Sequence, residues 1–330
     1  MPRTTPPRPV DVEAVFPELA GMRRAATRLH PRRGTPTAHD SSVGGPMLWP
    51  AGDPWPMCTI PHKRSSGYRY ADVVRARQIE EDAWRRTPNR GKTDEEIEIV
   101  GGFKRGRHAP HLSDTDPIPM LAGAQLYRRD VPGLPDTGEG DLLQVFWCGF
   151  ERHGETRYEP YVHLRWRHSQ DVGTPLAEQP VPEVVGREEL VPSPCVLHPE
   201  EVVEHPYFMS LDPALQERIA AWEGPESEGD RYISDLSTAP GWKVGGYVAW
   251  TLTGPRPLVC SVCRAELLPL LTIDEREWDS GTTSWIPRED QRNPQGRWPE
   301  APTEVSFGQG RMTIAVCPRD PRHPIDLAIQ

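Results

Sequence analysis

Residues 243–273, KVGGYVAWTLTGPRPLVCSVCRAELLPLLTI, decide how the rest of the chain is read. Three signals follow one another there: a Gly-Gly pair with a tryptophan spaced after it, a Pro/Gly turn, and a Cys-x-x-Cys that opens an apolar, strand-like run. An echo lies far upstream. Val43-Gly44-Gly45-Pro46-Met47-Leu48-Trp49 repeats the spacing of Val244-Gly245-Gly246-Tyr247-Val248-Ala249-Trp250, and Cys58 follows the first tryptophan much as Cys260 follows the second. The echo continues downstream, where Gly140 to Cys148 matches Gly310 to Cys317, each a glycine, a hydrophobic strand and a closing cysteine. Matched elements in one order predict an internal duplication in which Trp49 and Trp250 take equivalent places.

The expected architecture is α+β, made of duplicated, mostly antiparallel β-sheet halves with a few short helices. Composition agrees with short elements. The chain carries 39 prolines in 330 residues, more than twice the usual share of about 5%, and proline is excluded from helix interiors and central strands. Residues 1–40 read as an N-terminal helical extension, because Val12, Val15, Phe16, Leu19 and Met22 fall near a 3.6-residue period over residues 11–29, broken by Pro17. Residues 41–172 form the first repeat half. An insertion at 71–108 interrupts it, helical in propensity over 71–86 and then, over 87–108, aperiodic and read as a mobile surface excursion. The proline- and glutamate-rich stretch 173–194 is the linker candidate, and 195–330 the second half. Within that half, 200–204 reads as a short helix and Asp212-Pro213 as the cap and first turn of another.

The formal net charge of −10 opposes a nucleic-acid footprint, which needs a concentrated basic surface. No stretch approaches the ~18 apolar residues of a membrane span, and the N-terminal residues lack the apolar core of a signal peptide. A cytoplasmic location is therefore expected, where six cysteines are free thiols or metal ligands more readily than disulfides.

Five of the six cysteines stand with histidines at ligand spacing. Cys260-x-x-Cys263 is a knuckle whose two sulfurs reach one tetrahedral ion, and Cys317 with His323 supplies the other half of a structural zinc site. The alternative is a pair of buried thiols; a redox pair would need a helix N-terminus that the flanking Pro/Gly turn does not offer. In the first half Cys58 and His62, with Cys148 and His153, occupy corresponding positions and suggest a pseudo-symmetric second site. The proline between His108 and His111 forbids the one-face helical geometry of a metalloprotease motif.

Gly44-Gly45-Pro46 with Trp55-Pro56, Gln125 with Val131-Pro132-Gly133-Leu134-Pro135, the run 142–146, Gly245-Gly246 with Trp250, and the run 268–274 come in the order of the YwqG-like bacterial domain-of-unknown-function family, which the chain resembles from about Leu29 onward. That resemblance implies a duplicated, mostly antiparallel β-sheet protein distantly similar to the programmed cell death protein 2 family, associated with binding client ribosomal proteins, and it implies no enzymatic activity. The functional expectation is a non-enzymatic protein of client-chaperone or immunity/adaptor type, with a protein or peptide as partner and neither nucleic acid nor membrane. The alternative is a metal-dependent enzyme of unknown substrate that uses an open Cys/His site.

Overall fold

The structure, a computed structural model, describes residues 2–87, 91–153, 159–224, 231–291, 302–308 and 310–330. The first half contributes strands β1 (Arg24–Arg28), β2 (Arg32–Arg33), β3 (Ser42–Val43), β4 (Met57–Cys58), β5 (Tyr68–Arg69), β6 (Ile118–Pro119), β7 (Leu121–Tyr127), β8 (Leu142–Trp147) and β9 (Val162–Arg167). After them come β10 (Val184–Val185), β11 (Cys195–Val196), β12 (Glu200–Glu204), β13 (Lys243–Gly245), β14 (Leu268–Asp274), β15 (Arg311–Val316) and β16 (Asp326–Ile329). Four α-helices are described: α1 (Val12–Val15), α2 (Tyr70–Arg86), α3 (Asp94–Gly102) and α4 (Pro213–Glu223).

Two six-stranded sheets carry this α+β fold, in the orders β2-β11-β3-β7-β8-β9 and β12-β1-β13-β14-β15-β16, with antiparallel neighbours throughout. The orders correspond strand by strand, and the register agrees to the residue. Leu121 opposes Trp147 as Leu268 opposes Val316, and Gln125 opposes Gln144 as Thr272 opposes Thr313. A β-bulge interrupts β7·β8 between Ala122 and Ala124, and its twin interrupts β14·β15 between Pro269 and Leu271. Bulges are specific local features, so this recurrence ties the two halves together more tightly than strand count could.

The halves also exchange strands. In the pairing of β1 with β12, Arg28 opposes Glu200; in that of β2 with β11, Arg32 opposes Val196. Four residues forward on one strand match four back on the other, so both pairings belong to one antiparallel ribbon of residues 24–33 and 195–204. Each strand of the ribbon runs from an inner position in one sheet to the edge of the other. Its midpoint, where the Leu29 carbonyl accepts from the His198 N–H at 2.8 Å, carries a repeat absent from the sequence reading: Leu29-His30-Pro31 recurs as Leu197-His198-Pro199.

Four readings are corrected here. The helical period over 11–29 yields only α1 and a 3-10 turn, Pro17–Met22; Arg24–Arg28 is a strand between β12 and β13, where its buried Ala26, Thr27 and Arg28 override the helix propensity of alanine and arginine. Residues 200–204 are strand β12, not a helix, in keeping with the β-branched Val202 and Val203. The stretch 87–108 contains helix α3, started by a capping box in which Thr93 and Glu96 serve each other's N-terminal N–H groups and tied to α2 by the Arg86–Glu96 ion pair at 2.8 Å; residues 88–90 of that stretch lie outside the described residues. Within 173–194, β10 pairs with β5, and Val184, Val185, Leu190 and Val191 are buried, so this stretch packs against the first half.

One cluster of buried apolar side chains draws on both sheets, with Leu126, Val145 and Trp147 from the first and Val244, Leu271 and Ile314 from the second. Two smaller clusters sit at corresponding ends of the halves. Trp49 and Trp55 gather with Phe146, Cys58 and Cys148 in one, and Trp250 gathers with Leu258, Cys260 and Cys317 in the other, so the two tryptophans do take equivalent places.

Candidate metal centres

Each small cluster is closed by four Cys/His side chains. In the second half a hairpin brings Leu258 and Leu267 together, the Leu267 N–H donating to the Leu258 carbonyl at 2.9 Å, and its tip carries Cys260 and Cys263. The tip is a tight knuckle: the Arg264 N–H donates to the Cys260 carbonyl at 3.0 Å, the Cys260 N–H to the Ala265 carbonyl at 2.9 Å, and Arg264 takes a positive φ of 61° to close the turn. Cys317 follows directly on β15, and an aspartate turn at Asp320 returns the chain so that His323 faces it.

In the first half β4 and β6 form the same hairpin, with the Met120 N–H donating to the Pro56 carbonyl at 3.0 Å. Here the tip is replaced by residues 59–117, which include α2 and α3 and are cinched by reciprocal Gly67–Gly106 backbone bonds of 2.9 Å. The knuckle's second cysteine is gone, and His62, at the start of the excursion, stands in its place. Cys148 follows β8 as Cys317 follows β15, and His153 completes the set.

The donor atoms converge. Within each group, Cys58–His62–Cys148–His153 and Cys260–Cys263–Cys317–His323, all four lie within 4.8 Å of one another. In the first, Cys58 Sγ lies 3.5 Å from both His62 Nε2 and His153 Nε2, and Cys148 Sγ lies 3.4 Å from His62 Nε2. In the second, Cys263 Sγ is 3.4 Å from Cys317 Sγ, and His323 Nδ1 is 3.4 Å from both Cys260 Sγ and Cys317 Sγ. Tetrahedral ligands at bond lengths of about 2.0–2.3 Å stand roughly 3.4–3.8 Å apart, so both spacings fit one small ion at the middle.

The surroundings split the sulfurs of each group, drawing Cys58, Cys260 and Cys317 toward the thiolate that binds a metal and holding Cys148 and Cys263 toward the thiol. Hydrogen bonds from Cys148, His153 and His62 hold the Cys58 thiol far below its ordinary range, against the opposing effect of burial. Burial and the neighbouring Cys58 push Cys148 up, so in the bare site the two sulfurs share a proton that a cation would displace. Cys317 is drawn down to about 6, with burial opposing and the backbone N–H groups of Arg319 and Asp320 and the His323 ring favouring the thiolate. The far ring nitrogens have orienting neighbours: His153 Nδ1 lies 3.4 Å from the Glu159 carbonyl, His62 Nδ1 3.4 Å from that of Lys63, and His323 Nε2 3.9 Å from an Asp320 carboxylate oxygen.

A buried ion pair that the sequence does not announce locks the second half to the ribbon. Lys243 Nζ lies 2.6 Å from Glu204 Oε1, both side chains are no more than 1% exposed, and the other Glu204 oxygen accepts the Tyr247 N–H at 2.8 Å. Gly246 explains the second glycine of the motif, since a Cβ there would come within 2.2 Å of that same carboxylate. The acid-base pairing of two distant residues leaves no local sequence signal; only the need of a buried lysine for a partner hints at it.

Fold and sites together define an internally duplicated α+β protein with two Cys/His clusters able to hold a metal ion, and no described helix is long and apolar enough to cross a membrane. Set against known proteins, the chain matches no protein-family model and no curated protein.

Proposed function

We propose that this is a cytoplasmic, non-enzymatic, YwqG-like polypeptide-binding protein in which both Cys/His centres hold structural zinc. One observation carries the reading: each centre already presents four protein donors within 4.8 Å of one another. A four-coordinate zinc so enclosed has no position left for a catalytic water or substrate. Sulfur-rich donor sets at tetrahedral spacing also suit zinc over the hard, oxygen-seeking cations. Each centre pins a hairpin to the end of a sheet, a role that metal performs through folding free energy. The resemblance to a family distantly similar to programmed cell death protein 2 supports a polypeptide as the partner, as does the acidic net charge, which suits basic clients.

Elemental analysis of the purified chain tests the metal part, with two zinc equivalents expected. Substitution by cobalt(II) should give the intense visible absorption of tetrahedral thiolate coordination at both centres. A spectrum of five- or six-coordinate cobalt would reveal an open position and favour a metal-dependent enzyme instead.

A further inference from the structure

The halves differ in what lies across them. Over the first, residues 174–186 run as an extended strap. The Thr174 carbonyl accepts from the Ala51 N–H at 2.9 Å, the Leu176 N–H donates to the Trp49 carbonyl at 2.7 Å, and the Gly186 N–H reaches the Gly149 carbonyl at 2.7 Å. Between these points Gln179 clamps Met47, its amide oxygen accepting from the Met47 N–H at 2.9 Å and its amide nitrogen donating to the Met47 carbonyl at 2.7 Å. Under the strap Leu121 is only 3% exposed, with Pro180 and Val181 lining the small cavity beside it.

Along the same path over the second half, no segment among the described residues makes the corresponding strap contacts. Leu268, the register twin of Leu121, is 41% exposed, and Pro318, standing where Gly149 stands, is exposed as well. Val248 and Trp250, the twins of Met47 and Trp49, are buried, yet their backbone groups have no hydrogen-bond partner among the described residues. One strap contact has a substitute: the Gln330 side-chain oxygen accepts the Leu252 N–H at 3.2 Å, where the Thr174 carbonyl serves Ala51. Beside this path opens a cleft of about 530 Å³, lined by Ala25, Gly246, Leu268 and Pro318 on one side and by Pro135 and Trp166 of the first half on the other. The Trp166 indole N–H has no acceptor among the described residues.

We propose that this path is where the partner binds, and that the occupant is an extended segment of another protein built like the strap: apolar residues interrupted by proline, with a glutamine placed to clamp the Val248 backbone. The proposal rests on the polypeptide-binding reading and gives it a site. The Val248–Trp250 backbone therefore offers an incoming chain the same groups that, on Met47 and Trp49, Leu176 and Gln179 engage. Proline holds such a segment extended before it binds, which lowers the ordering cost. The strap is thus an internal copy of the ligand, bound in cis on one half, and main-chain pairing with side-chain pockets is the general mode of strand addition.

The test uses the intact chain and a fluorescein-labelled peptide of residues 174–185, TPLAEQPVPEVV, together with selection from a displayed library of random peptides of that length. The strap peptide should bind saturably, and Leu268→Glu in the protein, or Gln179→Ala in the peptide, should weaken it by about tenfold or more. Leu268→Lys serves as a second variant, and circular dichroism checks that both fold. Equal binding to wild type and to both Leu268 variants overturns the site. Library binders that ignore the Leu268 variants sink this site alone and leave the polypeptide-binding reading standing, whereas a library that yields no binder sinks both. A dimer in sedimentation that Leu268→Glu dissolves would mean that a second copy fills the path, which overturns a foreign segment as its occupant.

Discussion

The two centres occupy the same place in two copies of one fold, yet they differ in nearly every detail. The first uses two cysteines and two histidines, all buried, with both rings turned to present Nε2. The second uses three cysteines and one histidine through Nδ1, with Cys263 and His323 half-buried. On a divalent ion the first set is neutral, and the second, with three thiolates, carries one negative charge. What both copies share is the position of the Cys/His group, where a hairpin tip meets the residue that follows the middle strand of the duplicated meander. The two groups keep one position and differ in donor chemistry, which is what the structural role proposed above permits. The first tie is also the deeper one, since Cys148 packs among Trp49, Trp55 and Phe146 whereas the second knuckle faces outward.

That contrast breaks most visibly at Cys148. Cys148→Ser should release metal from the first centre and lower the unfolding free energy by on the order of 5 kcal/mol, because metal-binding and folding free energy are linked there; denaturant titration with elemental analysis reads both, and an unchanged midpoint would mean that the centre is not a tie. Next comes the strap. Leu121→Ala should cost about 2–5 kcal/mol as a buried core truncation, while Leu268→Ala, its exposed twin, should stay within ~0.5 kcal/mol. Equal losses in that pair would show that the two faces are covered alike. A smaller and more local effect is expected from Cys263→Ser: one metal equivalent lost, with hydrogen-exchange protection falling chiefly over residues 247–267 and the global midpoint moving less than for Cys148→Ser. Among the destabilising changes the smallest is Gln179→Ala, which removes the amide clamp on the Met47 N–H and carbonyl and should cost about 1–3 kcal/mol, with faster exchange along residues 174–181.

The sequence exposed the duplication and the two Cys/His groups because both rest on residue types that few environments substitute: paired glycines, of which Gly44, Gly245 and Gly246 take a positive φ, tryptophans in proline-rich turns, and cysteines closing strands. The ribbon was hidden for a physical reason. Arg24–Arg28 and Glu200–Glu204 are rich in residues that favour helices, and only pairing with strands from the far half fixes them as extended. The strap was read as a linker because proline and glutamate suggest a solvated tether, while its attachment runs through backbone groups and one glutamine amide, which leave no hydrophobic period. Helix α3 was legible through Thr93 and Glu96 but was masked by the glycines around it. Beyond the ligands, Lys243 and Glu204 meet across a sheet whose order no local pattern announces.

The shared ribbon also bears on how the chain is made. During synthesis the first half leaves the ribosome long before its own inner partner: β3 must wait for Cys195–Val196, and β1 has no neighbour until Glu200–Glu204 and Lys243–Gly245 have been translated. Until then both strands present unpaired edges. Pairings this distant in sequence form slowly, because the loop entropy must be overcome before the contacts are gained. The nascent N-terminal half is thus expected to remain incomplete and dependent on chaperone cover, and neither half, expressed by itself, would reach a closed sheet. Co-expressing the two pieces cut at the solvent-exposed residues near 173 should restore folding only when both are present in the same cell.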